Sequence, residues 1–327
     1  MFADKKQSFT ATPPVFLGGL LLAGGLMAFV AWDQSHWWRT KQDYGFGWFV
    51  PVFVAYVVYD RWPRVAAWLQ NAGAENAAAA TPAWLGKLAP VATVAALLGG
   101  GALFVLGALY RAAAGPSFAG TLTLTLGMAA TVLASIYLLA PVRAGPAGQT
   151  AAGRLALTRL FIFPALVWLV SAPMIAVIES NLSVFLMHQV TSVVFFVFDL
   201  LGLSLEQHGN VLLLPTGSVG VAEACSGIRS LTGCLFAGSF LAAVFLESRW
   251  KKIALVAASL LLAVFTNILR SLFLTAWTYR YGPAAMEAQV HDTAGYVVLG
   301  LTVVGLLCLL PLLNRKRDRN DGQPGAA

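Results

Sequence analysis

Residues 226–246 read SGIRSLTGCLFAGSFLAAVFL, and Arg229 is their one charged residue. At about 1.5 Å of rise per residue such a run covers the roughly 30 Å hydrocarbon thickness of a bilayer, so it reads as a membrane-crossing helix. VAEAC comes directly before it, which puts Cys225 at the helix mouth. A thiol that begins or immediately precedes a helix meets unpaired N–H groups and the positive end of the dipole, and both favour thiolate. Arg229 follows one turn later on the same face and adds a second positive influence. A cysteine in an apolar helix is commonly just a small packing residue; its position sets Cys225 apart.

The rest of the chain is of the same kind. Hydrophobic residues make up 58% and charged residues 11%, and the mean hydropathy is +0.75, beyond what a soluble core needs. The expectation is an all-α polytopic membrane protein with eight spans: Pro14 to Trp32, Tyr44 to Tyr59, Leu88 to Tyr110, Phe118 to Val142, Leu160 to Ile178, Ser226 to Leu246, Ile253 to Tyr279 and Thr293 to Leu313. Residues 1–314 read as one integral membrane domain and 315–327 as a disordered basic cytoplasmic tail. The first span lacks an A-x-A site and is followed at once by a second, so it is not read as a removed signal peptide. Glycines in LLLAGGL and LLGGGALFVLG are expected to let helices approach closely, whereas 71–83 and 144–153 read as linkers.

Charge gives an orientation. The net charge of +7 lies in short clusters beside apolar runs, a pattern of topology signals and not of nucleic-acid binding. With the N-terminus cytoplasmic, 15 of the 21 lysines and arginines fall on inner segments, and only Arg39, Lys41, Arg111 and Arg280 on outer ones. Arg229 and Arg270 lie within spans. Residues 179–224 carry no lysine or arginine, so the thiol faces outward. Within that outer segment, Asn181 to Leu203 is apolar but interrupted by His188, Gln189, Thr191 and Asp199, and reads as a helix in or dipping into the outer interface. A P-T-G-S turn between Val211–Leu214 and Val219–Ala222 then suggests a small β-hairpin. Such a hairpin would deliver Cys225 to the membrane surface and offer backbone groups to an extended peptide.

Two more polar groups are out of place in hydrocarbon. Arg270, in VFTNILRSLFL, lies 18 residues beyond Lys252, about 27 Å of helix, and so nears the outer face. An arginine within a span costs at least about 2.5 kcal/mol on insertion scales and generally faces a partner or water; Asn267 shares its face. His291, in AQVHDTAGYVVLG, opens the last span at the outer edge. Cys225, Arg270 and His291 thus fall at one depth on three consecutive spans, as a nucleophile, a cation and an acid/base group. In this reading Cys225 attacks a carbonyl, His291 moves protons to and from sulfur and the leaving amine, and Arg270 stabilises oxyanion charge.

The EACSGIRSL, NILRS and HDTAG blocks, in that order on the last three spans, resemble the exosortase/archaeosortase family of membrane transpeptidases. The LLLPTG hairpin, the outer helix and the eight-span plan are similar too, while spans one to five match in character only. The resemblance implies Cys225, Arg270 and His291 as active site, with Arg229 and Asn267 in support. It also implies a substrate: a secreted protein with a C-terminal PEP-CTERM signal, made of a Pro-Glu-Pro-like motif, one transmembrane helix and a basic end. Cleavage at the outer face of the cytoplasmic membrane leaves an acyl-enzyme, and an exopolysaccharide- or lipid-linked acceptor is implied to resolve it.

Other residues are read more plainly. Glu223 either orients His291 or Arg229 or caps the helix start. His36 among Trp32, Trp37 and Trp38 reads as an interface belt. His188 and His208 lack metal spacing, and no metal or other cofactor is expected. Cys234 and Cys308 read as packing residues. Two other functions compete: a protease that only hydrolyses, and a transporter or channel in which Cys225 is incidental.

Overall fold

The computed structural model describes residues 12–71, 83–141, 147–215, 217–220, 227–283 and 288–314. Nine long helices occur among them: α1 (Pro14–Thr40), α2 (Val50–Asn71), α3 (Ala83–Ala114), α4 (Phe118–Leu139), α5 (Ala147–Ser171), α6 (Ala176–Leu200), α7 (Ile228–Phe245), α8 (Arg249–Tyr281) and α9 (Ala288–Asn314). A 3₁₀ segment, Gln42–Phe49, joins α1 to α2. Strands β1 (Glu206–His208), β2 (Val211–Leu214) and β3 (Gly217–Gly220) form one antiparallel sheet in that order. This is the expected all-α polytopic membrane protein.

Eight helices among the described residues are long and apolar enough to cross a membrane, but they are not the expected eight. Asp60, Arg61 and Arg64 take α2 out of the set, and α6, expected as an interfacial helix, joins it. Length and apolar content put α6 in that set without placing it across a bilayer; its buried Thr191 hydroxyl donates to its own helix at Met187 O, 2.8 Å away. Two boundaries also moved. Residues 147–153, read as part of a linker, are the first two turns of α5, where Ala151 and Ala152 are buried; the same helix stops at Ser171, short of Pro173, and not at Ile178.

The chain divides into two compact units, Met1–Leu182 and Ser183–Ala327. In the first, polar groups near the C-terminal end of α1 tie four helices together. Asp33 is wholly buried; Arg111 Nε of α3 lies 2.6 Å from one carboxylate oxygen and Thr121 Oγ1 of α4 donates to the other at 2.6 Å. Gln34 Nε2 donates to Thr125 Oγ1 at 2.9 Å and Ser171 Oγ of α5 donates to Gln34 Oε1 at 2.7 Å. Trp37 and Trp38 are buried here and donate to Thr121 Oγ1 and Ser171 O, so they belong to the core and not to an interface belt; Trp32 is exposed, with Arg111 over its ring. Lys41 pairs with Glu179 at 2.7 Å at this same end.

At the opposite end, Gly19 of α1 meets Leu139 of α4, and Arg154 of α5 lies over Tyr137. The first unit therefore alternates up and down. Arg61 Nη1 of α2 donates to Leu160 O of α5 at 2.6 Å, eleven residues along from Val50 and eleven short of Ser171. Both points lie about 16 Å from the Asp33 end, so α2 stands upright beside α5 despite its charges. The expected close approach of helices is made by the second glycine stretch: a Cβ at Gly100 would sit 2.8 Å from Ala130, and one at Gly127 would run into the Phe104 backbone. Gly24 and Gly25 of LLLAGGL have open space around them, and their expected role is not seen.

In the second unit, Val190, Val194 and Phe198 of α6 gather with Leu212 of β2, and Ile268, Leu272 and Tyr279 of α8 pack against them. The expected hairpin is present as β2–β3, with Leu214 opposite Gly217 and the second strand ending at Gly220. β1 was not foreseen, since Glu206-Gln207-His208 has little strand propensity; it is held by pairing with β2. Gly217 has φ of 140° and a Cβ there would lie 2.7 Å from Pro283, so the hairpin is seated on the loop after α8 by a residue that only glycine suits.

Candidate active site

Helix α8 is the centre of the second unit, with α7 on one side and α9 on the other. Thr266 and Thr302 share a hydrogen bond of 3.0 Å, and Leu274 clusters with Ala294. Interpolating between those pairs sets Arg270 level with Val298, about 10 Å along α9 from His291. The arginine Cα is thus deeper than the shared level read from the sequence. Its side chain makes up part of the difference: a Cβ on Gly295 would lie 3.6 Å from Arg270 Nη2, so the guanidinium rests on α9 one turn from His291. Arg270 is 8% exposed and Asn267 2%.

On the α7 side, Gly227 caps the helix with φ of 84°, and a Cβ on it would lie 2.8 Å from Asn267 Nδ2. A left-handed residue in that close a contact has to be glycine. Deeper along the pair, Gly238 meets the Ser259 side chain. Helix α7 therefore begins level with Asn267, whereas α8 continues 14 residues farther, about 21 Å, to Tyr281. Phe273, Trp277 and Tyr281 form an aromatic ladder along that extension, with ring centroids 5.9 and 4.6 Å apart. Aromatic residues favour the headgroup level, so among the described residues the start of α7 lies below such a rim.

Between α8 and α9 lies a cavity of about 570 Å³. Leu269, Phe273 and Trp277 line it from α8 and Val290, Val297 and Leu301 from α9, and Arg270 is the charged residue in its wall. Sequence reasoning missed this space, and it gave Gly295 no role although that glycine stands in the HDTAG block.

The other expected residues are placed as follows. Arg229 is exposed in the first turn of α7. His291 lies in the first turn of α9; its side chain, and the whole of Cys225 and Glu223, lie outside the described residues. Cys234 is buried in α7, as a packing residue should be, but Cys308 is exposed on α9, where Leu309, Leu310 and Leu313 make the contacts with Ala242, Leu246 and Leu255. Among the described residues no three His, Cys, Asp or Glu side chains gather as metal ligands.

A model of the transmembrane exosortase family matches residues 37–308, which spans both units. No curated protein and no solved structure matches the chain.

Proposed function

The chain belongs to the transmembrane exosortase family, membrane proteins that process sorting signals as cysteine proteases or transpeptidases, and on that premise we propose that it cleaves C-terminal PEP-CTERM-type signals through Cys225. The observation that carries the reading is the meeting of three motif blocks around α8: the Arg270 guanidinium rests on Gly295, one turn from His291, while Asn267 holds Gly227. Two peptide units separate Gly227 from Cys225, a reach of about 7 Å, so chain connectivity keeps the thiol's residue near that face.

The Cys225 thiolate adds to the scissile carbonyl, and Arg270 stabilises the resulting oxyanion. The intermediate collapses to a thioester as the C–N bond breaks. His291 gives its proton to the leaving amine, then takes one from the incoming acceptor, an exopolysaccharide- or lipid-linked group, which displaces sulfur and regenerates the thiolate beside a protonated His291. Asn267 holds the start of α7, and Arg229 and Glu223 support the cysteine from either side. Strand β3, which leads to Cys225 five residues on, pairs among the described residues with β2 alone, and its other edge would align an extended substrate by strand addition. The protein resides in the cytoplasmic membrane with both termini inside and the thiol facing outward, as the distribution of basic residues supports; this alternation takes α1–α5 and α7–α9 as the crossing helices and leaves α6 in the outer interface, and Lys41 and Arg111 at one end of the first unit and Arg154 at the other fit it.

The test is coexpression of wild type or Cys225→Ala with a PEP-CTERM reporter, following the reporter's new C-terminus by mass. Wild type should trim it and leave an added acceptor mass, and Cys225→Ala should not trim. Trimming with no added mass would leave a hydrolase; equal trimming by both would end the proposal.

A further inference from the structure

Buried hydroxyls of α8 and α9 close on their own helices: Ser259, Thr266, Thr278 and Thr302 donate to carbonyls three or four residues back, at 2.7 to 3.0 Å. Ser271 is buried too, at 4% exposed, yet its Oγ makes no hydrogen bond among the described residues. A buried hydroxyl is costly to keep unless something outside its helix accepts its O–H. Its position says where that partner must lie. Ser271 follows Asn267 by four residues, so it stands on the same face about 6 Å farther out. Asn267 is the residue that meets Gly227 at the cap of α7. On the neighbouring stripe of α8, Ile268 and Leu272 pack against Leu212 of β2. The hydroxyl therefore stands between the hairpin and the start of α7, the two elements that the link from Gly220 to Gly227 joins.

We propose that the Ser271 hydroxyl donates a hydrogen bond to the Cys225 sulfur and so positions the nucleophile as a thiolate. The inference rests on the cysteine reading above and adds the group that holds the sulfur. Cys225 is two peptide units from Gly227, about 7 Å of chain, which matches the one-turn step from Asn267 to Ser271. The first turn of a helix presents N–H donors, so an O–H beside it needs an acceptor from the link. In VAEACS, residues 221–226, Glu223 and Cys225 can be anionic, and Cys225 is the nearer to Gly227. A thiolate that accepts a hydrogen bond is favoured over the thiol. Arg229 on α7, Arg270 on α8 and His291 on α9 are the nearest charged or titratable groups along those helices, and Glu223 precedes the thiol in the chain. From the other side, Val190, Val194 and Phe198 of α6 and Leu212 of β2 are apolar, and Glu206 and His208 of β1 are exposed. Arg270 rests on Gly295 of α9, on a different face of α8 from Ser271.

The test follows alkylation of the full chain in membranes by iodoacetamide against pH, in a Cys234→Ala, Cys308→Ala background where Cys225 is the remaining thiol. Ser271→Ala should move the midpoint up by about one pH unit, since losing the donor disfavours the thiolate. Trimming of the reporter by the same variant should fall about tenfold near neutral pH and approach wild type as pH passes the shifted midpoint. Ser271→Thr keeps the O–H and should keep the wild-type midpoint; a midpoint raised as far as in Ser271→Ala overturns the proposal. An unmoved midpoint in Ser271→Ala overturns it, as does a loss of trimming that is the same at every pH, the mark of a merely structural serine. Wild type that trims while the midpoint stays put removes this inference alone. A midpoint that moves in an enzyme that never trims keeps the hydrogen bond and removes the proposed function.

Discussion

Asp33 in the first unit and Arg270 in the second are charged residues buried among apolar helices, and their surroundings differ. Both carboxylate oxygens of Asp33 are engaged, one by Arg111 and one by Thr121, and Gln34, Ser171 and Trp37 continue the network across four helices. Glycines in α3 and α4 close the remaining space. Arg270 packs against a glycine and, unlike Asp33, lines a cavity. A buried charge closes the packing in one unit and borders open space in the other. Polarity inside a membrane helix marks function only when it borders space.

That contrast can be attacked from both sides, and the largest effect is expected at the open one. Arg270→Lys keeps the charge but loses the planar fork, and should cut reporter trimming about 100-fold with little change in protein level; unchanged trimming would reduce Arg270 to a structural residue like Asp33. On the closed side, Asp33→Asn leaves Arg111 without its counterion and should cost about 3 kcal/mol. A thermal melt in detergent would show this, with trimming per folded molecule kept. Gly227→Ala should lie between the two classes. Strain of about 1–2 kcal/mol from a left-handed alanine adds to contact with Asn267, so trimming should fall about tenfold, and Asn267→Ser in the same chain should restore only the part due to contact. The smallest effect is expected for Gly24→Ala, whose Cβ meets nothing within 4 Å. Stability should rise by at most about 1 kcal/mol, the helix-propensity gain, and a fall would expose a contact at this face.

Much of the fold was legible because about 20 apolar residues in a row have few alternatives to a crossing helix. Misreadings arose where composition and packing disagree. Asp60, Arg61 and Arg64 make α2 look short, yet Arg61 is accommodated by the Leu160 carbonyl and the helix runs on to Asn71. Trp37 and Trp38 looked like a belt because their indole partners, Thr121 and Ser171, are far away in sequence. At the site, Arg270 and His291 stood out because their residue types are costly in hydrocarbon. The cavity did not, since Leu269, Val297 and Leu301 are ordinary apolar residues, and it takes the register of α8 on α9 to bring them around one space.

The late start of α7 bears on the membrane itself. Its 18 residues span about 27 Å, while α8 beside it runs 33 residues, about 50 Å. A bilayer of about 30 Å meets too short a helix on one flank and too long a one on the next, and thinning against the short one costs only fractions of a kcal/mol per Å. A bilayer that adapted to α7 would bring its headgroups and their water down along that helix toward Asn267, so its surface would dip there.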